Sequence, residues 1–463
     1  MKIYNTMTSS KEDFVPYDMG ENAQINMYVC GPTVYNLLHI GNMRCYVVFD
    51  TIRRYFEHKG FLVNVVQNFT DIDDKIIQSA DEEGISATEV AEKYIAEAYT
   101  DFKAMNILAA SVYPRVTEEM PEIIAMIAEL IEKGFAYESD GHVFFDSAKT
   151  EDYGKLSKKN IDDLIAGARV EVHESKRSSV DFVLWKPRKT AEEPSWASPW
   201  SDGRPGWHIE CSAIAKKYLG RLDLHCGGED LIFPHHENEI AQTEALQDEP
   251  LARYWLHNGP LTSNGRKMSK SLGNFSTLRE VAQNFSHEVI RFFLLSGHYR
   301  MPIEYSEELL ISAEKSLNRI KNAYNALREL AQEPPIPVDM NTLKYRLTFE
   351  TCMDDDFNTA NAIAVLFDIV KDANMLIRNL KITPHLAHEY QFVLHELCEL
   401  LGIKLGDVQT LHIGEEYIEE QLRLREMARK NKDWAKSDEI RDALTAQGVI
   451  IKDTPEGAKW TIR

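Results

Sequence analysis

Apolar and polar positions alternate in a way that marks out elements before any chemistry is considered. Met27–Cys30 closes a short apolar, β-branched run that begins near Ile25, which predicts a buried strand broken by Gly31-Pro32. From Gly41 onward apolar residues recur at Cys45, Val48, Phe49, Ile52 and Phe56, the spacing of one helical face. Gly60 falls where a left-handed cap would end that helix, and Phe61–Val66 restarts the strand pattern. Together these predict a β-loop-α-β unit with a right-handed crossover. Residues 1–24 are polar and irregular and read as a lead-in strand and loop.

The same reading divides the remainder. The first α/β half runs through residues 1–113, and residues 114–204 interrupt its rhythm. That interruption holds one helical run (Glu122–Lys133), a hairpin at Ser139-Asp140-Gly141 and a Pro/Trp/Ser-rich exit at Glu193–Gly203. The α/β pattern resumes over 205–261. A Gly-flanked basic loop follows in 262–306, where Thr277-Leu278-Arg279-Glu280 forms a capping box that starts a helix. Residues 307–403 are helical apart from a connection at Glu333-Pro334-Pro335-Ile336-Pro337. The tail, 404–463, begins with a linker over Lys404–Glu415, then a basic helix and strands near Val449–Lys452 and Lys459–Ile462.

Composition narrows the class. Hydrophobic residues make up 44% and charged residues 27% of 463 positions, an ordinary globular balance. No basic-plus-apolar opening suggests a signal peptide, and no apolar run approaches the ~18 residues of a membrane span. Six scattered cysteines are too few for a disulfide framework, so a cytoplasmic location is expected. A net charge of −21 argues against indiscriminate polyanion binding, but Gln421–Arg441 carries seven basic against four acidic residues.

Five stretches concentrate chemistry. His39-Ile40-Gly41-Asn42 stands where loop becomes helix, a place suited to phosphate because backbone N–H groups there are unpaired. It resembles the HIGH signature of class I aminoacyl-tRNA synthetases, with Asn42 in place of the second His. Lys267-Met268-Ser269-Lys270-Ser271 is a full KMSKS, suited to clamp a leaving pyrophosphate. Asp71, Asp73 and Asp74 crowd the end of a strand. Three carboxylates so close could suggest a metal site, but a polar loop at the strand's carboxyl end explains them equally well and is the reading favoured. Finally, Trp207–Cys211 and His235–Glu239 bring thiol, imidazole and carboxylate groups. His235 and Glu239 are four apart and share a helical face, as would His236 and Glu239, so spacing leaves the histidine open. Cys30 and Cys211 could add thiolates from two strand ends, a donor set suited to Zn²⁺. Cys45 on its helix's core face and Cys226 in a Gly-rich loop read as simple thiols.

The combination of Cys30–Tyr35, Gly206–Cys211, His235–Glu239 and Lys267–Ser271 resembles the cysteinyl-tRNA synthetase family from about residue 25 to the C-terminus. Leu156–Asn160 and Asp181–Lys186 resemble stretches of that family's connective insertion. The resemblance implies an α/β fold: a split Rossmann-type catalytic domain with a connective insertion, then a mostly helical anticodon-binding region and a small C-terminal α/β tail. It implies one zinc on Cys30, Cys211, His235 and Glu239. It also implies ATP with Mg²⁺ as substrate at His39, Asn42, Lys267 and Lys270, with Gly228 and Asp230 resembling a ribose-contact motif. Thr70 and Trp207 are candidates for the cysteine pocket, and Arg429, Trp434, Asp438, Arg441 and Asp453 for anticodon contact. The expected partners are cysteine, ATP and cysteine tRNA, the expected state a monomer. Two rivals stand beside this reading. One is a cysteine ligase acting on an amino sugar, which would leave the residues after Glu307 surplus. The other is a non-catalytic RNA-binding relative, against which the retained lysines and His39 speak.

Overall fold

Strand and helix periodicities resolve into a parallel sheet with helices packed on it. β1 (Gln24–Val29) leads through a loop into α1 (Ile40–His58), and β2 (Leu62–Gln67) follows Gly60, whose φ of +92° suits glycine. Much later come α2 (Trp207–Tyr218), β3 (Leu222–Gly228), α3 (Glu237–Glu244) and β4 (Ala252–Asn258). The sheet order is β4-β3-β1-β2, every neighbour parallel, and Val112 and Arg115 extend it beyond β2 by isolated bridges to Val66 and Phe69. The chain order therefore reverses at β1, and the crevice beyond the carboxyl ends of β1 and β3 is the switch point where such sheets bind ligands.

This structure is a computed structural model and describes residues 1–20, 23–159, 175–247, 249–263, 265–268, 275–331, 340–405, 415–430, 433–446, 449–454 and 457–462. It divides into two compact units, Met1–Lys404 and Leu405–Arg463.

Within the first unit, the segment between the sheet halves forms a helix, Met120–Glu132, and an antiparallel four-stranded sheet. Its strands are Ala136–Ser139, His142–Phe145, Phe182–Pro187 and Gly203–Pro205, in sequential order. Asp140 and Gly141 both have positive φ, the requirement of the tight turn that matches strand twist. Val143, Phe145, Leu184 and Trp185 pack in one apolar cluster with Tyr28, Cys30, Ile209, Cys211 and Trp255. The inserted sheet thus walls the same core that holds the crevice residues.

After β4 a short hairpin, Leu261–Ser263 with Arg266–Lys267, carries the start of the KMSKS stretch, and Ile303–Glu304 pairs alongside it. Thr277 and Glu280 form the expected reciprocal cap at the helix Leu278–Ala282. Four long helices follow: Glu307–Leu330, Met340–Asp354, Thr359–Arg378 and Pro384–Leu400. The second unit pairs helices Glu415–Lys430 and Trp434–Ala446 with an antiparallel hairpin, Val449–Thr454 and Gly457–Ile462. Ile440 and Leu444 form its core with Leu422, Ile451 and Trp460. The proline-rich connection and most of the second linker fall outside the described residues.

Three expectations need correction. Residues 1–24 contain a β-hairpin, Lys2–Asn5 with Ser10–Asp13, rather than one strand and a loop. Cys226 lies inside β3, opposite Val29, rather than in a loop. The glycines after it extend the strand by pairing with His257 and Asn258, and glycine is required there because a Cβ on Gly227 would sit 2.9 Å from the His236 ring. Cys211 comes from the second turn of α2, not from a strand end.

Candidate active site and metal centre

The phosphate end of the crevice is built by the α1 N-terminus. Gly31 crosses so close to the next strand that a Cβ there would lie 1.5 Å from the Asn68 carbonyl oxygen. His39 is the N-cap of α1: its Nδ1 accepts from the Asn42 N–H at 3.1 Å, and Asn42 Oδ1 accepts from the His39 N–H at 3.4 Å. An accepting Nδ1 leaves the ring proton on Nε2. Burial holds the imidazole pKa down to about 4, so the ring is neutral at physiological pH. Gly41 is needed beside it, since a Cβ would press to 3.0 Å from the ring.

The loop after the KMSKS stretch is bonded to this cap. The Ile40 N–H donates to Ser276 O and the Leu278 N–H to Leu38 O, both at 3.0 Å. Lys267 Nζ lies 3.3 Å from Asp230 Oδ2, and Gly228 caps the short turn that presents Asp230. His39, Asn42, Gly228, Asp230 and Lys267 therefore meet around one crevice end. Lys270 lies outside the described residues.

Deeper in, the thiols, imidazoles and one carboxylate converge. Donor atoms of Cys30, Cys211, His235 and Glu239 lie within 4.8 Å of one another, all four residues buried. A second set, Cys30, His225, His236 and Glu239, satisfies the same limit. Cys30 follows β1, Cys211 sits on α2, and His235 and Glu239 straddle the start of α3. His235 Nε2 is 3.1 Å from Glu239 Oε1, while His225 Nε2 is 2.9 Å from Glu239 Oε2. Burial opposes charge on Glu239, yet the two imidazoles outweigh it and hold the carboxyl down to about 2. The Cys211 thiol is lowered to about 6, chiefly by its hydrogen bond with Cys30, whose own thiol burial pushes well up. His235 is raised to about 10 because Cys211 and Glu239 overcome its burial.

The histidine left open by spacing is thus split between faces. His235 joins Cys211, while His236 Nε2 approaches Cys30 Sγ at 3.3 Å and its Nδ1 meets His257 Nε2 at 2.8 Å. His257 in turn bonds Thr6 Oγ1. Burial drives His236 and His208 well below the ordinary range and His257 to about 3. These neutral rings orient the donors from behind. Sequence reading missed His225, His257, Asn68 and Glu210. The available signal was a histidine in each of two apolar strands, which the sheet places on neighbouring strands two register positions apart.

The two pocket candidates flank this cluster. Thr70 is buried and its Oγ1 donates to Glu210 Oε2 at 3.2 Å, with burial pushing the Glu210 carboxyl well up. Trp207 is 38% exposed and lays its ring 4.1 Å from the His235 ring. The aspartates after β2 serve structure: Asp71 accepts from Thr117, Asp73 caps the helix Asp74–Glu83, and Asp74 pairs with Lys186 and Arg204.

In the second unit Arg429, Trp434, Asp438 and Arg441 are exposed, and Asp453 lies in the strand Val449–Thr454. Arg441 and Asp438 pair at 3.5 Å. An exposed pair of this kind is worth roughly 0–1 kcal/mol, so both groups remain able to exchange partners.

Known proteins place this architecture. Residues 16–315 match the family model of the tRNA synthetases class I (C) catalytic domain, 348–406 a DALR domain, and 415–460 a cysteinyl-tRNA ligase anticodon binding domain. The fold is shared with the Mycobacterium tuberculosis methionyl-tRNA synthetase in complex with methionyl-adenylate: TM-score 0.59, 16% identity, over 82% of this chain and 89% of that one. Fold and site thus define a class I aminoacyl-tRNA synthetase, an ATP-dependent ligase. Among curated relatives, a cysteine–tRNA ligase of Lachnoclostridium phytofermentans is 50% identical over 99% of both chains. One of Lachnospira eligens is 49% identical over the full length of both. The chain belongs to the cysteine–tRNA ligase family. The match to an anticodon-binding domain speaks against the amino-sugar ligase, which has no need of one. No helix among the described residues is long and apolar enough to cross a membrane.

Proposed function

We propose that this chain joins cysteine to cysteine tRNA in two steps, using a zinc ion held by Cys30, Cys211, His235 and Glu239 to select the substrate, with Mg²⁺ accompanying ATP. The observation that carries the selectivity is the buried cluster itself: two thiols, an imidazole and a carboxylate within 4.8 Å at the foot of the crevice. That donor set fits zinc better than a hard cation, which would call for oxygen donors. When bound, zinc supplies a soft Lewis acid that favours a thiolate over a hydroxyl, separating cysteine from serine.

The chain's own groups do the rest by alignment. The attacking carboxylate of cysteine is ionised at neutral pH, so adenylate formation needs no general base. Neutral His39 offers its Nε2–H, and Asn42 its amide nitrogen, to phosphate oxygens, both held by the mutual cap. Lys267 and Lys270 neutralise the departing pyrophosphate, while Gly228 and Asp230 take the ribose side. Asn42 works in this role without charge, since its oxygen serves the cap and its nitrogen remains a donor. Thr70 and Trp207 shape the amino-acid pocket. Arg429, Trp434, Asp438, Arg441 and Asp453 read the anticodon bases. Thiol ligands require a reducing compartment, which supports a cytoplasmic site of action; a monomer completes the reading.

Cysteine-dependent ATP–pyrophosphate exchange and charging of total tRNA, with each amino acid supplied in turn, test the proposal. Cysteine alone should support both. Exchange with another amino acid, or exchange without charging, would overturn it.

A further inference from the structure

Among the described residues, one side chain near the active site makes five hydrogen bonds, none of them to a group assigned above. Arg44 lies five residues after His39 on α1 and is fully buried. Its Nη1 donates to the carbonyls of Gly259 (2.6 Å) and Pro260 (2.8 Å). Its Nη2 donates to Met301 (2.6 Å), Tyr299 (3.2 Å) and His298 (3.3 Å). All five acceptors are backbone carbonyls, and they belong to two chain segments.

Those segments are the root of the KMSKS hairpin and the root of the strand that pairs alongside it. Gly259-Pro260 connects β4 to Leu261–Ser263, which pairs with Arg266–Lys267; residues 298–301 lead into Ile303–Glu304, which pairs along its other side. The roots also touch each other, because the Gly259 N–H donates to Tyr299 O at 2.8 Å. A Cβ on Gly259 would meet the Met301 and Arg300 backbone at 2.6–2.7 Å. One guanidinium therefore spans the gap between the helix that presents His39 and Asn42 and the base of the hairpin that presents Lys267.

A planar fork of donors suits this task, since it sets distance and angle to several carbonyls at once. A cheaper solution for stability alone would be an apolar residue, because an arginine buried against neutral acceptors carries a desolvation cost. Burial indeed lowers its pKa to about 10.

We infer that Arg44 is a positioning residue for the activation step: it fixes the spacing between the His39–Asn42 cap and the Lys267 hairpin, the two sides of the crevice that must hold one triphosphate. The inference rests on the reading of this chain as an amino-acid-activating ligase. It acts through Lys267 and should leave the cysteine pocket alone.

The test is a double-mutant cycle on the single-turnover rate of cysteinyl adenylate formation, with cysteine affinity, zinc content and melting temperature measured on each variant. Arg44→Lys keeps the charge but cannot reach both roots; Arg44→Gln gives up the charge as well. Each should slow activation by about tenfold to a hundredfold, the scale of a small misplacement of reacting groups, with cysteine affinity and zinc content unchanged. In a Lys267→Ala background the same substitutions should cost less than about threefold, because the group they misplace is already gone. Full activation rates in both Arg44 variants, an equal loss in both backgrounds, or a parallel loss of cysteine affinity would overturn the inference. If Arg44→Lys fails to fold, Arg44→Gln carries the cycle, and failure of both makes the residue structural and overturns it too. An unaltered chain without cysteine-dependent exchange would overturn the functional reading, and the inference with it. An unaltered chain with exchange confines any failure to Arg44.

Discussion

Single residues set the chemistry by what surrounds them. His39 shows this well: with Nδ1 occupied by the cap and burial opposing charge, its pKa falls to about 4. A depressed histidine pKa means that the unfolded chain takes up the proton first. As pH falls from about 6.5 toward 4 the cap's contribution to stability is therefore lost, and it is fully present above that window. An NMR titration of the His39 ring should give a midpoint near 4, with the Nε2–H tautomer above it; a midpoint near 6.5 would mean an uncapped, solvated ring. Cys211 makes a second case. Replacement by Ser removes a soft donor from a buried set, so zinc content and cysteine affinity should fall together. Metal analysis beside cysteine binding checks this, and active enzyme without zinc would contradict it.

Among the elements, α1 links active site and helical region. Its first turn carries the His39 cap, and its later turns are bonded to the helices that follow residue 307. Tyr55 Oη donates to Asp354 Oδ1 at 2.8 Å, and buried Asp50 pairs with Arg54 and Arg291. Arg291 Nε also donates to Leu401 O at 2.7 Å. Burial alone would raise the Asp50 pKa; the two guanidinium groups more than offset it, and the carboxyl stays below its ordinary value. Asp50→Asn would leave Arg291 buried without its counter-charge, which should destabilise the first unit by about 3–5 kcal/mol. Denaturant unfolding measures it. Gly402 belongs to the same junction: at φ +67°, a Cβ there would lie 2.3 Å from Arg291 Cζ.

On the scale of the whole molecule, the chain separates chemistry from reading of the tRNA. The unit Leu405–Arg463 has its own small core, and its stretch Gln421–Arg441 carries seven basic against four acidic residues in a chain of net charge −21. Phosphate contacts carry no sequence information, so choice of tRNA requires side chains that reach unstacked bases. Deleting Tyr417–Arg463 should spare cysteine-dependent ATP–pyrophosphate exchange and strongly reduce charging of cysteine tRNA. If the shortened chain keeps the full preference for wild-type over anticodon-altered tRNA, recognition lies elsewhere.

Local order was legible in the sequence because short-range physics decides it. The α1 face, the left-handed Gly60, the turn at Asp140-Gly141 and the Thr277–Glu280 cap each depend on neighbours within a few positions. The two signatures were legible for the same reason. Which histidine faces Cys211 was not. His235 and His236 are equivalent by spacing to Glu239, and only the approach of α2 on one side and β1 on the other assigns them to different sets. His225 and His257 were invisible as partners because each sits in an apolar strand, and strand order alone brings them beside α3. Cys211 looked like a strand end until the helix beginning at Trp207 carried it inward. The Arg44 fork had no sequence signal whatever, since backbone carbonyls more than two hundred positions away leave no mark on composition or period.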